Sequence, residues 1–189
     1  MNIQAARTAS PLRLLVAASL LMSGAARATA QSSRTEIELH AGTNVNASTI
    51  GLPDFPDARA RSDGGSDSTA DLGLTFGDVH FRLLVSKYAT TASPSRVLDF
   101  YRAPLSRYGE VLECEGGRAV GSLARTSSGL TCADDQHSTT TGHDGSARQL
   151  KAGTPQRFRI VAVEPSSEGS TRFTLLFMEM PKSDGANRP

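Results

Sequence analysis

Ser93-Pro94-Ser95-Arg96-Val97-Leu98-Asp99-Phe100-Tyr101-Arg102-Ala103-Pro104-Leu105-Ser106-Arg107-Tyr108-Gly109 carries the clearest helical period in this chain. Ser93 is placed to accept from an amide left unpaired in a first helical turn. Pro94 suits the first helical position, where its missing N–H leaves no bond unmade. Gly109 can adopt the left-handed conformation that closes a helix. At about 100° per residue, Val97, Leu98, Tyr101, Pro104, Leu105 and Tyr108 share one face, with Phe100 at its margin. Ser95, Arg96, Asp99, Arg102, Ser106 and Arg107 share the other. The spacing predicts a helix over residues 94–108 that lies on an apolar layer.

Outward from that helix the periodicity changes to two. Leu72, Leu74 and Phe76 alternate before Gly77-Asp78, and Val79, Phe81, Leu83 and Val85 alternate after it. A bulge or a tight hairpin turn at Gly77-Asp78 gives the same alternation, so both stay open. His80, Arg82, Leu84 and Ser86 are expected on the opposite side, mostly towards water. Arg157–Glu164 and Thr171–Met180 form the clearest strand pair. The second of these is apolar enough, at Phe173, Leu175, Leu176, Phe177 and Met178, for a central strand covered on both faces. Glu110–Cys114 and Gly129–Ala133 read as short partner strands joined by residues 116–128, and Leu150–Pro155 reads as a turn. One helix set apart from the strands predicts an α+β fold, with an antiparallel sheet of about four to six strands and the helix on one face.

The first thirty residues read differently. Arg7 and Arg13 precede the apolar run Leu14–Met22, and Ala28-Thr29-Ala30 follows as a small-residue cleavage site. The pattern predicts a cleaved secretory signal at residues 1–30, a mature chain from Gln31, and a periplasmic or extracellular location. The apolar run is far shorter than the about 20 residues a membrane-spanning helix needs, so no stable membrane insertion is expected. The whole chain has 189 residues and a formal charge of +1. Losing Arg7, Arg13 and Arg27 takes the charge to −2, which argues against nucleic acid as a partner. Residues 31–50 are mostly small and polar, with Ile37, Leu39 and Val45 as apolar anchors; they read as a mobile arm, a short strand at Glu36–His40 being the alternative, and Asn46-Ala47-Ser48 matches a glycosylation acceptor. Residues 51–181 are expected to form a single domain with flexible loops at 59–70 and 134–148, and residues 182–189 a frayed tail.

Both cysteines, Cys114 and Cys132, lie in the exported part, where an even count favours a disulfide. Glu113 and Glu115 flank Cys114 and would raise a thiol pKa, which argues for a structural bridge over a reactive thiol.

Gly51-Leu52-Pro53-Asp54-Phe55-Pro56-Asp57-Ala58, together with Ser93–Tyr101 and Leu105–Gly109, resembles small exported bacterial domains of unknown function. Those domains pair a Pro-x-[Tyr/Phe]-Pro lead-in with a Ser-Pro-x-x-Val-x-x-Phe-Tyr-x-x-x-Leu-x-x-x-Gly helix. The likeness covers residues 51–114, implies the fold and export, and brings no catalytic residue. Pro104 departs from the pattern and is expected to kink or end the helix.

Chemistry-bearing motifs are sparse. The chain holds no Gly-x-Ser-x-Gly, no His-Glu-x-x-His, no phosphate loop and no Cys-x-x-Cys, so no cofactor is expected. Asp63 and Asp67 do not follow the spacing of a calcium loop. Asp134, Asp135, His137, His143 and Asp144 are the one set with metal-ligand chemistry. Tyr88, Phe100, Tyr101 and Tyr108 read as core aromatics before they read as a ligand pocket. Arg96, Arg102 and Arg107 make a mild basic stripe. The expectation is a non-enzymatic binding or interaction module of the cell envelope, whose partner is an envelope protein, polymer or small molecule. A hydrolase or metal-dependent enzyme built on His137 and His143 is the alternative.

Overall fold

The computed structural model describes residues 37–62, 68–133, 147–164 and 169–181. Along the chain run β1 (Ile37–Gly42), α1 (Ala47–Ile50), β2 (Arg59–Ala60), β3 (Thr69–Phe76), β4 (Val79–Thr90) and α2 (Pro94–Ser106). Then come β5 (Leu112–Glu115), β6 (Arg118–Ala119), β7 (Arg148–Thr154), β8 (Arg157–Val163) and β9 (Thr171–Glu179). All strands join one antiparallel sheet in the order β1-β3-β4-β9-β8-β7-β5-β6, with β2 pairing β4 off that path. The fold is α+β, but among the described residues the sheet has nine strands where about four to six were expected. The extra ones include the two-residue strands β2 and β6, too short to show a period of two.

α2 forms as its sequence dictates. Ser93 Oγ accepts from the Arg96 amide at 3.4 Å, and Pro94 opens the first turn. Val97, Leu98, Tyr101 and Leu105 are buried against the sheet, each contributing roughly 1.5–3 kcal/mol of apolar burial. The helix runs through Pro104 to Ser106, so the proline neither ends it nor starts a new one. It closes with tightened bonds from the Tyr108 amide to Leu105 O and from the Gly109 amide to Ser106 O.

Two apolar layers lie on opposite faces of the sheet. On the first, α2 packs on β7 and β8, and Val45, Ala47, Ile50, Leu52 and Phe55 fill in beside it. On the second, Leu83, Val85, Leu176, Met178, Phe158 and Ile160 meet Leu112, Leu130 and the Cys114–Cys132 disulfide. β9 has β4 and β8 as neighbours and is buried on both faces, as its apolar run predicts.

Several expectations are corrected. Residues 37–50, expected to be an arm, include α1 and also β1, where the alternative strand at Glu36–His40 falls, and Val45, Ala47 and Ile50 are buried. Asn46 is the N-cap of α1, its Oδ1 accepting from the Thr49 amide at 2.9 Å. Residues 150–154, expected as a turn, belong to β7, where Leu150, Lys151 and Ala152 are fully buried. Lys151 is held there by donation from Nζ to Thr131 O at 3.0 Å. Residues 129–133 are not a strand beside β5; only Thr131 bridges, to Arg125, and β5 pairs with β6 and β7. Gly77-Asp78 is a two-residue hairpin turn, with Phe76 paired to Val79. Gly77 sits at φ 56°, a conformation the first position of such a turn needs. The signal segment 1–30, residues 63–67 and 134–146 of the expected loops, and the tail 182–189 lie outside the described residues.

Candidate functional site

Among the described residues, those singled out from the sequence do not converge on one site. Cys114 and Cys132 form the disulfide, so neither offers a thiol. Asp63, Asp67, Asp134, Asp135, His137, His143 and Asp144 lie outside the described residues. Among the described residues no three of His, Cys, Asp and Glu gather in metal-binding geometry. The aromatic residues serve the core. Tyr88 stacks on Phe173 with centroids 5.3 Å apart, and its hydroxyl accepts from the Ala47 amide at 3.0 Å. Tyr101 meets Phe55, Phe100 and Phe173, and burial pushes its hydroxyl well above the usual range, with smaller contributions from Tyr88 and Asp54. The basic stripe is divided. Arg102 pairs with Glu113 at 2.9 Å, and Arg107 Nε donates to Pro104 O.

An open cleft of about 720 Å³ lies at the start of α2, between Phe55, Asp57, Thr91, Arg96, Asp99 and Phe100. Asp57 and Asp99 set two carboxylates against the single Arg96 guanidinium. Ser93, also on its wall, has its oxygen committed to the helix cap. No histidine or cysteine lines it, and it offers neither a nucleophile–base pair nor a charge pattern of one sign.

A different surface stands out, and it follows from strand register. β1 lies on β3 with Ile37 opposite Phe76, Leu39 opposite Leu74 and Ala41 opposite Leu72. β3 lies on β4 with Leu72 opposite Leu83, Leu74 opposite Phe81 and Phe76 opposite Val79. Directly paired residues share a face, so all of these side chains sit on the face that carries the second apolar layer. Under the disulfide-linked segment that layer is closed. At its outer end it is not: Leu39 is 75% exposed and Ile37 64%, and Leu72, Leu74, Phe76 and Val79 are also exposed. The opposite face of this wing is polar. There Arg82 bonds Asp71 at 3.0 Å, His40 lies 3.6 Å from Asp71, and Thr75 faces His80.

The sequence expectation placed the apolar set of β3 and β4 inward and Leu84 and Ser86 outward. The structure divides them otherwise. Leu84 and Ser86 are buried on the helix side, while the outer apolar residues face solvent. Alternation assigns residues to faces; it does not say how far the covering layer extends.

No family model, curated protein or solved structure matches this chain.

Proposed function

We propose that the protein is an exported, non-enzymatic interaction module of the cell envelope, which engages its partner through the apolar face of the β1–β3–β4 wing. The observation that carries this is the row Ile37, Leu39, Leu72, Leu74, Phe76 and Val79, six large apolar side chains exposed side by side on one sheet face. Scattered exposed apolar residues are ordinary, whereas a contiguous patch with a polar surround marks a contact surface. The Cys114–Cys132 bridge supports an oxidising compartment. The signal pattern at residues 1–30 and the likeness of residues 51–114 to small exported domains point the same way. No described helix is long and apolar enough to cross a membrane.

The experiment is chemical cross-linking in the native envelope, followed by purification of the chain with whatever it holds. Wild-type protein is expected to retain a defined partner that Leu74→Asp and Phe76→Asp each lose. Variants that keep the wild-type partner would contradict the wing as the contact surface. Sequencing of the recovered chain tests export: a mature N-terminus at Gln31 is expected, and an intact N-terminus in the cytosol would contradict it.

A further inference from the structure

The two edges of the sheet are unlike. β6 is two residues long and starts with Arg118, a short charged edge of the kind that resists pairing. β1 is six residues long, Ile-Glu-Leu-His-Ala-Gly, with no Lys, Arg or Pro, and its register with β3 runs without a bulge. Among the described residues, the one device that blunts this edge is the single charge of Glu38.

The hairpin fixes which backbone groups of β1 face outward. Phe76 and Val79 close a two-residue turn and so exchange main-chain bonds. At the far end, the Lys87 amide donates to Ser68 O at 2.8 Å, in the same phase. Even-numbered residues of β3 therefore bond to β4, and Asp71, Gly73 and Thr75 turn to β1. Their partners Gly42, His40 and Glu38 are satisfied by that ladder. Ile37, Leu39 and Ala41 direct their N–H and C=O groups away from the sheet.

We infer that β1 pairs antiparallel with β1 of a second copy of this chain, with Leu39 opposite its own counterpart on a two-fold axis. This goes beyond the proposed function: the pairing uses the edge of the wing and leaves its apolar face open to a partner. In this register Ile37 faces the second copy's Ala41, and the outward groups of Ile37, Leu39 and Ala41 are all bonded. Glu38 faces the second copy's His40, a carboxylate opposite an imidazole, twice over by symmetry. Slipping the pairing by two residues sets Glu38 against Glu38 or His40 against His40, so the charge pattern favours one register. The apolar faces of both wings then join on one side of a continuous sheet.

Sedimentation velocity on the full chain, over a range of concentrations, tests this. A reversible dimer is expected, weakened at least about tenfold by Leu39→Pro. That proline removes only an outward-facing amide, so the ladder to β3 is kept and the circular dichroism spectrum is expected to be unchanged. Cysteine variants read the register. Leu39→Cys is expected to cross-link to itself under mild oxidation, since directly bonded partners lie about 5.5 Å apart between Cα atoms. Glu38→Cys is expected to link to His40→Cys in a mixture faster than to itself. A dimer indifferent to Leu39→Pro, or Glu38→Cys linking to itself as fast as to His40→Cys, would overturn the pairing. A monomer at every concentration overturns it too. If that monomer still loses an envelope partner on Phe76→Asp, the wing reading stands and only self-pairing fails; if it has no such partner, both fail.

Discussion

The guanidinium of Arg159 lies 3.6 Å from the centre of the Tyr108 ring, and the two side chains hold adjacent carbonyls at the C-terminal end of α1. Arg159 Nε donates to Ile50 O at 2.7 Å, and the Tyr108 hydroxyl donates to Gly51 O at 2.5 Å. Gly51 sits at φ 87°, and a Cβ there would meet the Tyr108 oxygen at 2.6 Å. A residue just past α2 and one on β8 thus clamp the chain where α1 ends. Arg159→Lys loses the planar stack and the Nε bond, and is expected to destabilise the protein by about 1.5–3 kcal/mol. Tyr108→Phe is expected to cost about 1 kcal/mol. Urea unfolding of both single variants and the double variant checks this; strictly additive effects would contradict a coupled clamp.

The Cys114–Cys132 bridge spans a sequence separation of 18 and joins β5 to the segment that covers the second apolar layer. Replacing both cysteines with alanine is expected to lower stability by about 3 kcal/mol, read as a lower urea midpoint. Alkylation of the unfolded, unreduced protein is expected to leave its mass unchanged; a gain of two alkyl groups would contradict the bridge.

Glu113 sits between Arg102 on α2 and Arg148 on β7, bonded to both. Partial burial raises its carboxyl pKa, but the two guanidinium groups outweigh that and hold it below the ordinary value. A carboxyl lowered on folding adds stability that is full above its unfolded pKa and fades as pH falls through the folded one. Glu113→Gln is therefore expected to lower stability at neutral pH and to flatten the acid side of the stability–pH curve. An acid limb as steep as wild type would contradict the assignment.

Pro104 lies inside α2, where it removes the bond that a residue-104 amide would donate to Phe100 O. Pro104→Ala is expected to raise stability by about 1–2 kcal/mol, the restored bond exceeding the loss of unfolded-state restriction. Unfolding by urea reads the sign directly; a destabilised variant would mean that packing of the proline ring outweighs the missing bond.

These elements also show where the sequence could be read. α2 was legible because cap, first-turn proline and period all agree, and β8 and β9 because their apolar residues are dense. β7 was hidden by Lys151 and Gly153, which imitate a turn although Lys151 is fully buried. α1 is a single turn, too short for a period, and its capping Asn46 looked like a glycan acceptor. For the candidate site, the apolar faces of β3 and β4 could be read, but the solvent exposure of the wing could not. It depends on where the disulfide-linked cover stops, which is a tertiary property. β1 was legible only as an alternative to an arm, since an edge strand with three apolar residues looks like either until its partner is known.

Residue-resolved amide hydrogen exchange across β1, followed as a function of protein concentration, tests the central claim most directly. In dilute solution Glu38, His40 and Gly42, bonded to β3, are expected to be protected, and Ile37, Leu39 and Ala41 to exchange freely. At high concentration the outward three are expected to become protected together. An alternation that persists at every concentration, or a strand unprotected throughout, would contradict β1 as a pairing edge.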